Sequence, residues 1–183
     1  KMTRGEIFVP VVLEFTIPEG FTLKDLSARL EAKGVGTKEE LIALGANPAF
    51  LRKHQIFSKS VEGYLYPAKY QFTEFPTPEQ ALTEPIKEFW KRLPENYEAR
   101  VISLGLTLDQ AVTFASLIEA ETAQESERSN VSEVIWRRLR TREVLGIDAS
   151  LIYGIVNYQG NLTREHLQDE TNLYNTRVKA GLP

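Results

Sequence analysis

Cysteine is absent from this chain of 183 residues, which excludes disulfide frameworks, thiol nucleophiles, iron–sulfur clusters and cysteine-ligated zinc. Histidine is scarce: only His54 and His166 occur, both in charge-rich amphipathic stretches where an imidazole is ordinarily solvated, so a histidine triad or zinc site is poorly supported. No run approaches the about eighteen apolar residues of a membrane span, and Lys1 to Gly20 lacks the basic, apolar and small-residue order of a signal peptide. The segment therefore reads as soluble. Missing too are the GxSxG elbow, the Walker loop, GxGxxG and HExxH, which removes several hydrolase, nucleotide-binding and metalloprotease classes. Charge of one sign is not in excess: 22 basic residues stand against 25 acidic ones, so a phosphate-tracking surface over the whole fold, and with it a nucleic-acid partner, is not expected.

What is present describes an ordinary folded protein, with 42% hydrophobic, 26% charged and 10% aromatic residues. A chain of this length buries about 70% of its unfolded surface, enough for a core without covalent staples. It opens on strand-like sequence and closes on Gly181-Leu182-Pro183 in loop-like sequence, so it reads as a fragment.

Phe8 to Ile17 is a β-branched and aromatic run ended by the Pro18-Glu19-Gly20 turn, with Pro10 favouring an edge position or a late strand start. Thr22 caps a helix with a Leu23, Leu26, Leu30 stripe that closes at Gly34. Thr37 with Glu40 forms a capping box for a second helix ending at Gly45. Tyr64, Tyr66, Tyr70 and Phe72 fall at even spacing, as on one face of a strand that Pro67 interrupts. Thr73 to Pro78 is the best linker, dividing the chain at 76/77, and Thr77-Pro78 suits the start of a helix ending before Pro94. Thr107 with Gln110 opens a helix from Leu108 to about Ala123; Val131 to Leu139 is helical; Asp148 caps a short helix through Tyr153, and Thr163 another. Strands come early and helices late without βαβ alternation, so the fold class is α+β.

The helix from Leu108 is apolar over most of its circumference, as in a buried helix, and ends in Glu119 and Glu121. The two glutamates point about 200° apart, so they do not share one small site. Glu121 projects beside Leu117 and Ile118, where apolar packing favours the protonated acid needed for general acid catalysis; the expectation is a water-poor cleft. The competing reading is a carboxylate that emerges into solvent or pairs with Arg128, Arg137 or Arg138. Periodicity does not choose between Glu119 and Glu121.

Ala115-Ser116-Leu117-Ile118-Glu119-Ala120-Glu121-Thr122-Ala123, followed by Ser126-Glu127-Arg128, resembles the signature of MltG-type endolytic murein transglycosylases, the YceG-like family. Further resemblances follow in collinear order: Trp136-Arg137-Arg138-Leu139, Asp148 with Ile152-Tyr153-Gly154, Leu162 to Leu167, Tyr174-Asn175-Thr176 and Gly181-Leu182-Pro183, with Ile17 to Gly20 and Glu62 to Pro67 upstream. Ala149 and Ser150 depart from the family's proline and threonine at that turn. The resemblance implies a LysM-like strand and helix region over 1–76 and a mostly helical α+β catalytic domain over 77–183, both truncated. It implies a membrane-anchored bacterial enzyme of the cytoplasmic membrane, acting outside it, that cuts β-1,4 bonds between N-acetylmuramic acid and N-acetylglucosamine in peptidoglycan and leaves 1,6-anhydro ends. Its catalytic acid and base falls on Glu121, and no metal or cofactor is required. Peptidoglycan strands are the implied partner, with peptidoglycan synthases as candidates and any membrane contact made by an anchor outside this chain.

Supporting roles are expected for Asn175 and Thr176 as hydrogen-bonding groups, for Tyr64, Tyr66, Tyr153 and Tyr174 as stacking faces or core residues, and for Arg128 as a carboxylate partner. Glu127 and Arg128 are alternatively a structural pair, Glu119 is expected to make a structural hydrogen bond, and Asp148 belongs to the same supporting set. Two other readings compete. A pyridoxal-phosphate aminodeoxychorismate lyase, a label attached to this family, lacks the glycine-rich phosphate turn and the apolar-set lysine it would need. A non-catalytic glycan-binding module is opposed by the presence of Glu121.

Overall fold

The computed structural model describes residues 10–183. Phe8 and Val9, the start of the expected first strand, lie outside the described residues. The chain forms two compact units that divide between Tyr97 and Glu98. Helices with one small antiparallel sheet make the fold α+β.

In the first unit, strand β1 (Leu13–Thr16) pairs antiparallel with β2 (Lys69–Phe72), Leu13 opposite Phe72 and Thr16 opposite Lys69. Pro10 has no N–H to give a ladder, and the ladder opens only at Val12, whose N–H donates to the Phe72 carbonyl at 2.8 Å. Alternation then sorts the faces: Leu13 and Phe15 are buried, while Glu14 and Thr16 are exposed. The Phe15 ring meets Tyr70 at 5.5 Å and Phe72 at 5.9 Å across the pair. On the wet face Glu14 takes an ion pair from Lys69 at 2.8 Å and a hydrogen bond from Gln71 Nε2 at 2.7 Å.

Between the strands lie α1 (Leu23–Glu31), α2 (Lys38–Gly45) and α3 (Pro48–Lys53). Thr22 and Thr37 close the first two with complete capping boxes to Asp25 and Glu40, and Leu23, Leu26 and Leu30 are buried as their spacing requires. Asn47, which the sequence reading did not single out, caps α3 through Ala49 and Phe50. The even spacing of Tyr64 and Tyr66 does not reflect a strand. Gly63 adopts φ +83°, the Tyr64 N–H closes a turn onto the Val61 carbonyl at 2.9 Å, and the strand begins only at Lys69, after Pro67.

Helix α4 (Pro78–Arg92) starts at Thr77 with a capping box to Gln80 and stops at Leu93. It buries Ala81, Leu82, Pro85 and Ile86 and packs against α2. That contact joins α4 to the first compact unit, which ends at Tyr97.

The second unit begins within α5 (Tyr97–Ser103) and contains α6 (Leu108–Glu121), a 3-10 turn at Glu125–Glu127, α7 (Arg128–Thr141), α8 (Asp148–Tyr153) and α9 (Arg164–Gln168). Capping boxes at Thr107 with Gln110 and Thr163 with His166 start α6 and α9. The core joins Phe114 and Leu117 of α6 to Ile135 of α7 and to Leu145 and Ile147, with Phe114 and Trp136 rings 5.0 Å apart. Helix α6 is not wrapped on all sides as expected: Val112, Phe114 and Leu117 are buried, but Ala115 and Ala120 are exposed. Much of its apolar circumference is alanine, whose small side chain costs little to leave in water. Among the described residues no single helix is long and apolar enough to cross a membrane.

Candidate active site

Helix α6 presents its two glutamates in its final turn, and both are exposed. The Glu121 carboxylate has no ion pair and no side-chain hydrogen bond among the described residues. Among the described residues Glu121 is thus exposed, where a water-poor cleft was expected. Leu117 is buried and Ile118 half-buried, so they wall one side of the last turn, but Thr122 turns extended at φ −150° and the helix supplies no further turn as a cover. Two open surface depressions lie in the first unit, one lined by Phe21, Asp25, Arg29 and Lys33, the other by Lys53, His54, Lys87 and Trp90.

Beyond Glu121 the chain is pinned. The Thr122 hydroxyl donates to Glu127 Oε2 at 2.9 Å and accepts from the Gln124 N–H at 3.0 Å. Glu127 is thus bonded to Thr122 and not to Arg128, so the expected Glu127 and Arg128 pair is replaced by a pairing across the turn. Arg128 is the exposed first residue of α7, where a cation opposes the helix dipole. None of Arg128, Arg137 and Arg138 pairs with Glu121; Arg138 donates to the Leu145 carbonyl instead.

A second cluster gathers on α8, which packs against α6, and on the segment 172–177. Asp148 is the first helical residue and not the cap of α8: position Ile147 precedes it, and the carboxylate accepts from Arg177 Nε at 2.6 Å. Tyr153 and Tyr174 stand edge to face at 4.9 Å, and Tyr174 keeps 38% of its surface exposed. The Ser150 hydroxyl donates to the Tyr174 carbonyl at 2.7 Å, and Asn172 accepts the Tyr174 N–H at 2.9 Å while donating to the Leu151 carbonyl at 3.0 Å.

Asn175 and Thr176 do not offer free polar groups to a ligand. Asn175 is fully buried, its Nδ2 donates to the Asp169 carbonyl at 2.8 Å, and its Oδ1 accepts from the Arg177 N–H at 3.1 Å. The Thr176 hydroxyl accepts from the Ile147 N–H at 2.9 Å and donates to the Ile147 carbonyl at 3.2 Å. Both are spent on backbone that would otherwise be unsatisfied in the interior. Sequence reasoning missed Asn172 and Arg177 and named Ser150 only as a departure at its turn; the one signal was the repeated Asn-x-x spacing, since Asn172 and Asn175 each bond the N–H two residues on.

In the first unit Tyr64 is a core residue, 1% exposed and edge to face with Phe89 at 5.1 Å. Tyr66 is half-buried under the Arg92 guanidinium at 5.2 Å. His54 is half-buried, 3.2 Å from the Thr83 hydroxyl, and burial lowers its pKa with the Lys53 ammonium adding to the effect. His166 is used locally, its Nδ1 accepting the Thr163 N–H at 3.2 Å.

The ordered motif from α6 to the 172–177 segment defines a known class: the chain belongs to the YceG-like family, whose model matches residues 1–183. It is similar to the endolytic murein transglycosylase of Bacillus subtilis (strain 168), 25% identical over 199 residues that cover 100% of this chain and 54% of that protein. It is also similar to the endolytic murein transglycosylase of Streptococcus pneumoniae (serotype 2, strain D39), 29% identical over 201 residues, covering 94% of this chain and 36% of that protein. The chain thus spans about half the length, or less, of these curated relatives. Its fold is similar to that of a yceG-like protein from Listeria monocytogenes, with a TM-score of 0.81 at 24% identity over 93% of this chain and 60% of that one.

Proposed function

We propose that this chain is the core of an endolytic peptidoglycan lytic transglycosylase in which Glu121 is the single catalytic acid and base. The observation that carries the reading is the family match that runs through residues 1–183, in which Glu121 stands in the last turn of α6. The protonated carboxyl gives its proton to the glycosidic oxygen as the bond from that oxygen to C1 of N-acetylmuramic acid breaks. The carboxylate then takes the proton of the 6-hydroxyl as that oxygen bonds C1, closing the 1,6-anhydro ring. Because the nucleophile is internal, one carboxyl serves both halves, unlike the paired carboxylates of ordinary glycosidases. No metal or cofactor enters the reaction. An exposed carboxylate suits a long polymer as substrate, since the glycan strand itself displaces water from the helix end when it lies across it.

The tyrosine pair Tyr153 and Tyr174 supplies stacking faces for sugar rings, and Arg128, exposed and set against its helix dipole, supplies a partner for a lactyl or stem-peptide carboxylate. The first unit is LysM-like in this reading: two paired antiparallel strands with helices α1, α2 and α3 between them in sequence support it. The whole protein acts outside the bacterial cytoplasmic membrane, held there by an anchor, beside peptidoglycan synthases.

One observation favours a second reading, a glycan-binding module without catalysis: Glu121 is exposed among the described residues. Digestion of purified peptidoglycan by the full-length protein and by Glu121→Gln separates the two. Release of 1,6-anhydromuropeptides by the first and not by the second is expected; equal release by both, or release by neither, overturns the catalytic reading.

A further inference from the structure

We infer that Thr122 is a positioning residue for the reaction, and that with Glu127 it forms a latch that aims the Glu121 carboxyl. The inference rests on the proposed role of Glu121 and adds a group that touches no substrate.

The Glu121 carboxyl has no side-chain partner among the described residues, so nothing at its tip fixes its direction. Its backbone sets the point from which the side chain projects, and so the space that the carboxyl can reach. Upstream, the backbone is held by the helix. Downstream, it is held at Thr122, on which several hydrogen bonds converge. The Thr122 N–H donates to the Ile118 carbonyl at 3.2 Å and completes the last turn of α6. Its hydroxyl accepts from the Gln124 N–H at 3.0 Å and donates to Glu127 Oε2 at 2.9 Å, using the single proton of the hydroxyl and a lone pair at once. The Glu127 N–H then returns to the Gln124 carbonyl at 3.1 Å, which closes the 3-10 turn leading into α7.

Thr122 is only 8% exposed, whereas Glu121 and Ala123 on either side are exposed. A hydrogen bond to a carboxylate is stronger than one between neutral groups and holds its geometry better. The β-branched side chain suits the extended backbone at φ −150° and ψ 132°, which a helical continuation would not allow. The latch thus stops α6 immediately after the catalytic carboxyl and ties that end to α7, against which α6 already packs through Leu117 and Ile135.

Four variants of the full-length protein test this: Thr122→Val and Glu127→Ala, which break the latch, and Thr122→Ser and Glu127→Gln, which keep a hydroxyl and an acceptor oxygen. With wild type and Glu121→Gln as controls, kcat and KM are measured for anhydromuropeptide release, and thermal unfolding is followed in parallel. Thr122→Val and Glu127→Ala are expected to lose about ten- to a hundred-fold in kcat with little change in KM, as misaimed groups do, while the conservative pair retains most activity. Undiminished kcat in Thr122→Val overturns the latch, as does a loss that Thr122→Ser shares. If wild type is inactive or matches Glu121→Gln, the proposed reaction itself fails, which is a separate result.

Discussion

The amide of Asn172 occupies the space in which any β-carbon on Gly154 would stand. Gly154 has an ordinary helical φ of −81°, so this glycine is required by close approach and not by a left-handed backbone. Because Asn172 is bonded at both ends, to Leu151 and to Tyr174, it cannot swing aside without leaving a buried group unsatisfied. Gly154→Ala is expected to destabilise the protein by about 1–3 kcal/mol and to loosen Tyr174. Urea unfolding with tyrosine fluorescence checks this; an unchanged midpoint would show that Asn172 has room to yield.

Asn175 carries a larger structural load than a ligand contact would. Asn175→Ala removes the donor to the Asp169 carbonyl and the acceptor for the Arg177 N–H in a fully buried position, so a loss of about 2–4 kcal/mol is expected. Chemical denaturation measures it. Wild-type stability combined with a raised KM for glycan would return Asn175 to a direct binding role.

The pair of Asp148 and Arg177 is half-exposed on both sides and bridges α8 to the segment after Asn175. Such pairs contribute little, so Asp148→Asn is expected to change stability by less than about 1 kcal/mol. A double-mutant cycle with Arg177→Met gives the coupling directly, and a value well above that limit would mean the pair is shielded from water in solution.

Stability also depends on pH through His54. Its pKa is lowered in the folded protein, by burial first and by Lys53 next, against an opposing pull from Glu79 and a further push from Lys87. The unfolded chain therefore binds the proton more readily, and the contribution of the neutral imidazole, present above the unfolded value of about 6.5, is lost as pH falls from there through the lower folded value. Urea midpoints at about pH 7.5 and about pH 5.5 should show a drop in wild type that is smaller in His54→Gln. An equal drop in both assigns the effect to other groups.

Local features were the most legible from sequence. Thr22, Thr37, Thr77, Thr107 and Thr163 were each read as helix starts, and each forms a capping box, because the motif is complete within four residues and owes nothing to the rest of the fold. Features set by distant packing were not. Tyr64 and Tyr66 have strand spacing, yet the Gly63 turn and the Phe89 ring claim Tyr64 for the core. Asp148 has the chemistry of a cap, but Arg177, 29 residues away, takes its carboxylate. Asn175 and Thr176 were recognisable as special without revealing that backbone carbonyls and amides consume them. At Glu121 the motif was visible, and the surroundings were not: adjacency to Leu117 and Ile118 in sequence does not establish what covers the far side of a helix end.

Five helices sealed by their own threonines have an evolutionary corollary. Replacing one such hydroxyl frays a single turn and leaves the others intact, so damage stays local and each start can drift or be repaired independently. A scaffold organised in this way tolerates wide divergence, which accords with an architecture retained at a quarter of positions identical.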